Sequence, residues 1–204
     1  MIRLVHGRVK CEEMTRFLEK HHRHAAPLNR HMFTISAMSD RSQDCFPTRW
    51  FGIAVVDLCS SSWSKRRDHI ELRRLCIIED APKNVASFLI GKARSASWSM
   101  GYRTMITYTQ PYENGHSLLA SGFWVQSAGK MSVYVNEQTQ RYRIQGGLIQ
   151  WVCAQGFNAS KDDIVFTKEV IEKRNDVYGR WREKMDNQGY TFIPGHSRNV
   201  SLAA

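Results

Sequence analysis

The stretch from His69 to Thr109 constrains the fold more than any other part of the chain. His69 to Ile78 alternates like a strand, with Ile70, Leu72, Arg74 and Cys76 on one face and Glu71, Arg73, Leu75 and Ile77 on the other. After the break Glu79-Asp80-Ala81-Pro82-Lys83-Asn84, apolar residues recur at Val85, Phe88, Leu89, Ala93, Ala96 and Met100. That spacing predicts a helix, and Gly101 supplies its stop. Thr104 to Thr109 is β-branched enough for a buried strand. Strand, turn, helix and strand in this order make a right-handed βαβ crossover.

The flanks extend the pattern. Ile2 to Val9 reads as a short strand, and Cys11 to His22, with Met14, Phe17 and Leu18 at helical spacing, reads as a helix that Pro27 cannot continue. Met32 to Met38 and Phe51 to Leu58 read as two more strands. Gly115 to Ser121 is a short helix closed by Gly122, Phe123-Trp124-Val125 begins a strand, and Val133 to Ile144 is a strand or hairpin. Thr167 to Gln188 is a charged helix with a narrow stripe of Val170, Val177, Trp181 and Met185, suited to packing on the parent domain or on a partner chain. We expect an α/β (α+β) core over 1–145, a C-terminal extension over 146–194 that packs on it, with a helix at about 167–188, and a tail over 195–204.

Charge narrows the partners. The 204 residues carry 29 Lys and Arg against 19 Asp and Glu, a formal charge of +10. The excess gathers at His21-His22-Arg23-His24, Lys65-Arg66-Arg67, Arg73-Arg74 and Arg141-Arg143. Such a field attracts phosphate backbones, so DNA is the expected partner, with plain solubility charge as the other reading. No apolar run approaches the ~20 residues that span a bilayer, so no membrane partner and a cytoplasmic location are expected. The five cysteines, without a C-x-x-C pair, read as free thiols, and no metal site is assigned because no Cys or carboxylate at ligand spacing joins the histidines.

Several short motifs in order carry a family resemblance. Glu71-Leu72-Arg73-Arg74-Leu75, the turn Pro82-Lys83-Asn84-Val85-Ala86-Ser87, the strand Thr107-Tyr108-Thr109, and Gly115-His116 leading to Ser121-Gly122-Phe123 resemble GNAT acyltransferases. Within that superfamily the set looks like the GNAT-like proteins of phages and prophages, including the Mom-type DNA-modification proteins, whose pattern also has a histidine pair in the first helix, here His21-His22. The resemblance implies a mixed central sheet flanked by helices, with acetyl-CoA or another acyl donor. It further implies transfer of an acyl-type group onto an amine, which in the Mom branch is the exocyclic nitrogen of adenine in DNA. An acetyl-CoA-dependent N-acetyltransferase of a small amine or protein lysine, and a non-catalytic nucleic-acid-binding module, stand as alternatives.

Two departures from the GNAT pattern matter. The pyrophosphate loop usually has the form Q/R-x-x-G-x-G/A, and the matching turn here has no glycine; Lys83, Asn84 and the main chain of Val85, Ala86 and Ser87 are then the anion donors. Many GNAT enzymes carry a tyrosine four residues before the glycine that ends the short helix; Leu118 stands there, leaving Tyr108 and Tyr112 as nearby hydroxyls.

Acyl transfer needs a proton acceptor and an acid for the leaving group. Glu71, on the strand before the pyrophosphate turn, is the expected base, against the alternative that it only pairs with Arg73. His22 is the second candidate, with His21, Arg23 and His24 beside it for substrate, against a helix C-terminus merely decorated with cations. Tyr108 is the third catalytic candidate, against a buried aromatic with a satisfied hydroxyl. Arg73 and His116 complete the substrate set, although His116 also suits a simple turn cap.

Overall fold

A computed structural model describes residues 4–21, 28, 31–39, 50–59 and 68–193. A seven-stranded sheet forms the body, in the order β1-β2-β3-β4-β5-β9-β6. Its members are β1 (Leu4–Arg8), β2 (Phe33–Ser39), β3 (Trp50–Leu58), β4 (His69–Ile77), β5 (Thr104–Thr109), β6 (Trp124–Ala128) and β9 (Ile149–Ala154). Neighbours run antiparallel except β4 and β5, which are parallel and joined by helix α2 (Val85–Ser99), the crossover the sequence predicts.

Helix α2 lies on one face. Val85, Leu89, Ile90 and Ala93 pack with Ala54, Val56, Ile70, Leu72, Met105 and Trp151 in the larger core cluster. Each fully buried Leu or Ile there contributes about 1.5–3 kcal/mol of transfer free energy. Helix α1 (Cys11–His21) covers the other face, where Met14 and Leu18 meet Ile53, Val55 and Cys76. Gly101, at φ 90°, ends α2 with Tyr102 N donating to Ser97 O at 3.1 Å, a left-handed cap that glycine takes at low cost. The short α3 (His116–Ala120) follows Gly115, whose φ is 61°.

Strict alternation along β4 is corrected. Val55 faces Arg74 and the next residue, Val56, faces Leu72, so Arg73 is an extra, bulged residue. The bulge reverses the parity of the strand. Ile70 and Leu72 join the α2-side cluster before it, Leu75 and Ile77 join it afterwards, and Cys76 turns to the α1 side.

The expected end of the core at 145 is also corrected. Strand β9 begins at Ile149, yet it lies between β5 and β6 in the large sheet with Trp151 fully buried. Residues on both sides of the expected boundary therefore build one sheet. The region read as strand or hairpin forms β7 (Met131–Asn136) and β8 (Arg141–Gly146), which with β10 (Thr191–Phe192) make a separate three-stranded sheet.

Helix α4 runs over Lys161–Asn187 and starts six residues before the expected position, at a capping box in which Ser160 accepts from Asp163 N. Its inner face is wider than the predicted stripe: Thr167 and Met185 are buried, and Val170 and Ile171 pack against the main core. Thr167 Oγ1 accepts from Val125 N at 2.9 Å, so α4 satisfies a backbone donor of β6, the edge strand. No described helix is long and apolar enough to cross a membrane.

Candidate active site

The site begins where β4 and β5 part. The parallel ladder holds only through His69–Thr104, Ile70–Met105 and Glu71–Ile106. One further tie, Thr107 Oγ1 donating to Leu72 O at 2.8 Å, precedes the bulge at Arg73. Beyond it the carboxyl ends of the two strands are not paired, which opens a cleft at the end of an α/β sheet where ligands usually bind.

Helix α2 follows the carboxyl end of β4. Asn84 caps it in the left-handed conformation, φ 70° and ψ 5°, and no side chain caps the first turn. The first intrahelical-type bond is Phe88 N to Asn84 O at 2.9 Å, so the amides of Val85, Ala86 and Ser87 precede the helical ladder. Counted on Q/R-x-x-G-x-G/A, Asn84 occupies the middle glycine position and Ala86 the last. Asparagine is the non-glycine residue best suited to a left-handed turn, so this conformation needs no glycine. Lys83 and Asn84 are exposed beside these amides, whereas the Val85 side chain points into the core and leaves only its backbone for a ligand.

A groove of about 350 Å³ continues from this turn between α2 and the end of α3, lined among others by Ser87, Phe88, Gly91, Arg94 and Ser121. Gly91 carries a specific signal. A Cβ built there meets nothing within 4 Å, so glycine relieves no internal clash, although it costs an α-helix about 0.5–1 kcal/mol relative to alanine. What it does is widen the groove. Arg94 ties the two walls by donating from Nη1 to the Ser121 carbonyl.

On the α1-side face of the sheet, Glu71 stands opposite Asp57 in register, and both are buried. Arg73 reaches both carboxylates, with Nη1 donating to Asp57 Oδ2 at 3.0 Å and Nε 3.7 Å from Glu71 Oε1. Arg74 donates to the Arg73 carbonyl at 2.7 Å. Burial holds the Arg74 guanidinium below its usual range, with Arg73 acting in the same sense and Glu71 opposing. Two arginines and two carboxylates thus cluster on β3 and β4. Asp57 was missed in the sequence; its signal was a lone carboxylate closing the apolar run Gly52 to Val56.

Tyr108 is partly exposed on β5 beside the same opening, and its hydroxyl accepts from Gln150 Nε2 at 3.2 Å while Gln150 Oε1 accepts from Ser127 at 2.9 Å. Leu118, in the position of the usual tyrosine, is buried in the core. His116 is exposed at the start of α3, its amide bonded to Asn114 Oδ1 at 3.2 Å.

His21 is not brought to Glu71. Its ring lies 4.7 Å from Phe17, which lies 5.8 Å from Trp50. Trp50 is seven positions along β3 from Asp57, roughly 23 Å at ~3.3 Å per residue. His22, Arg23 and His24 lie outside the described residues.

No protein-family model and no curated protein matches the chain. Solved structures do. An IAA acetyltransferase from Bacillus cereus superposes with a TM-score of 0.53 at 13% identity, covering 75% of this chain and 100% of that one. NAA60 of Arabidopsis thaliana, in complex with acetyl-CoA, gives 0.55 at 11% identity over 76% of this chain and 100% of its own. A chain of the NatC complex bound to Gag peptide and CoA gives 0.52 at 12% over 76% and 99%. The likeness is one of fold: a GNAT-type sheet with its crossover helix in place.

Proposed function

We propose that the chain is an acyl-CoA-dependent N-acyltransferase of the GNAT type whose acceptor amine is carried by nucleic acid. The observation that carries the first half is the groove that runs from the uncapped first turn of α2 past Gly91, in a sheet whose β4 and β5 part at their carboxyl ends. An elongated, anionic thioester fits that path, with diphosphate on the amides of Val85, Ala86 and Ser87 beside Lys83 and Asn84. That NAA60 is in complex with acetyl-CoA and NatC is bound to CoA supports the same reading.

Bound acyl-CoA supplies a thioester-activated acyl group; the protein supplies position and protons. The acceptor nitrogen attacks the thioester carbonyl, the carbon–sulfur bond breaks, and the nitrogen's proton goes to a carboxylate. Glu71 takes this role, held by Arg73, whose tighter bond to Asp57 leaves Glu71 the weaker-held partner. Tyr108 stands in for the missing tyrosine by donating a proton to the leaving sulfur. Accepting from Gln150 Nε2 at 3.2 Å positions this hydroxyl on β5.

The nucleic-acid half rests on the charge of +10 and on the Mom-type resemblance, which names the exocyclic amine of adenine in DNA as acceptor. The test is to incubate protein, acetyl-CoA and single-stranded or duplex oligonucleotide, follow free CoA thiol, and identify modified nucleosides by mass spectrometry. Glu71→Gln should lower turnover by roughly 10²-fold or more with little change in melting temperature. Turnover that survives the change removes Glu71 as the base and moves the search to His22. Modification of peptides or polyamines but not of oligonucleotides rejects the nucleic-acid acceptor.

A further inference from the structure

Between β6 and β9 the chain leaves the large sheet at 129–148 and returns to the same place. The root of this excursion is closed by Gly129 N donating to Leu148 O at 2.9 Å and Gly147 N to Lys130 O at 2.8 Å. Gly146 and Gly147 have φ of 70° and 72°, and a Cβ on either would collide with Lys130 or Met131, so the root is held in one geometry. Register sets its position relative to the active site. Ala128 and Thr109 both pair with Ile149, so the ribbon β7–β8 leaves the sheet at the carboxyl end of β5, where the cleft opens.

The two faces of the ribbon differ in chemistry. Tyr142 turns inward, its hydroxyl donating to Asp186 of α4 at 2.7 Å. Pairing puts Asn136, Tyr134 and Ser132 of β7 opposite Arg141, Arg143 and Gln145 of β8 on the alternate face. No carboxylate is in that set. Tyr134 is 44% exposed, and the Arg143 guanidinium lies 5.0 Å from its ring centre. With its amide oriented to match, Gln145 accepts from Arg143 Nη2 at 2.9 Å, which fixes the guanidinium plane. A cation over an exposed aromatic ring offers a platform to an unpaired base, and Arg141 and Arg143 offer charge to phosphates.

We propose that this face of the β7–β8 ribbon docks a single-stranded nucleic-acid segment and leads it to the cleft. Charge complementarity selects the occupant: a ladder of arginine, amide, hydroxyl and tyrosine without an acid suits a polyanion whose bases stack. The inference rests on the nucleic-acid half of the function proposed above and is independent of the acyl donor.

Fluorescence anisotropy of the full chain with a labelled single strand of about 12 nucleotides tests it, beside a duplex of equal length and heparin. Tyr134→Ala should weaken single-strand binding about tenfold or more while changing heparin binding little. Arg141→Gln with Arg143→Gln should lower the salt slope by about 1.4, two phosphate contacts at ~0.7 each. Arg143→Lys, which keeps charge but not planarity, should weaken single-strand binding and leave the salt slope as it was; it serves should the other variants unfold. Single-strand affinity unchanged in folded Tyr134→Ala and Arg143→Lys, or equal binding of duplex, heparin and single strand, overturns the proposal. Titration of the same variants with acetyl-CoA separates this failure from failure of the acyl-donor reading, since CoA affinity should be unaffected by any ribbon change.

Discussion

At the level of single residues, Gly115 and Trp151 hold the carboxyl end of the sheet in shape. Gly115 has φ 61°, and a Cβ built there would fall within the buried indole of Trp151, whose Nε1 donates to Thr109 Oγ1 at 2.8 Å. Neither backbone nor ring has room to yield. Gly115→Ala should cost about 2–4 kcal/mol, overpacking plus a left-handed alanine, read as a lower urea midpoint at unchanged slope. A second residue gives a pH signature. Burial, and then its bond to Asp186, push the Tyr142 phenol above the usual tyrosine range. The folded state therefore holds this proton more tightly than the unfolded chain, so the contribution is complete below about pH 10 and is lost as pH rises beyond it. Tyr142→Phe should flatten the loss of stability above that pH; an identical alkaline slope in the two proteins would show the tyrosine to be uninvolved. Of the buried charge cluster, the pairing of Glu71 with Arg73 was legible because a carboxylate and a cation stood two apart on a strand. Asp57 was not, because its partner is brought by pairing between strands remote in sequence, which no local pattern records.

Among elements, the crossover from β4 through α2 to β5 was legible because period two, period 3.6 and a terminal glycine followed one another without interruption. The bulge at Arg73 was not. A bulge changes which residue faces which without altering composition, so alternation reads straight through it. The start of α4 was hidden for another reason: Ile164, Val165 and Phe166 are exposed and off the buried stripe, and only the Ser160–Asp163 capping box marks the first turn. The place of β9 was hidden because strand order is a property of the assembled sheet. That order has a consequence. A chain cut after residue 145 loses β9, and with it the partner of both β5 and β6 and the fully buried Trp151. It should not yield folded protein, judged by cooperative unfolding in circular dichroism; a cooperative, soluble fragment would restore the boundary expected from sequence.

For the molecule as a whole, the sheet joins two surfaces of different chemistry. The α2 side carries the groove and the uncapped helix turn, the α1 side carries Glu71, Asp57 and Tyr108, and β4 and β5 part at their carboxyl ends. The proposed function has a donor entering from one side and an acceptor from the other, to meet at the carboxyl end of the sheet. In the proposed function the α2–α3 groove holds the acyl donor. Calorimetric titration of the intact chain with acetyl-CoA, beside the variant Gly91→Phe, tests it most directly. The added ring meets open space in the groove rather than the core, so the fold should persist while the donor is excluded. The wild type should show saturable binding at one site, and the variant an affinity at least about tenfold weaker at an equal or higher melting temperature, since glycine is the poorer helix former. No saturable binding by the wild type, or equal affinity in a folded Gly91→Phe, would contradict it.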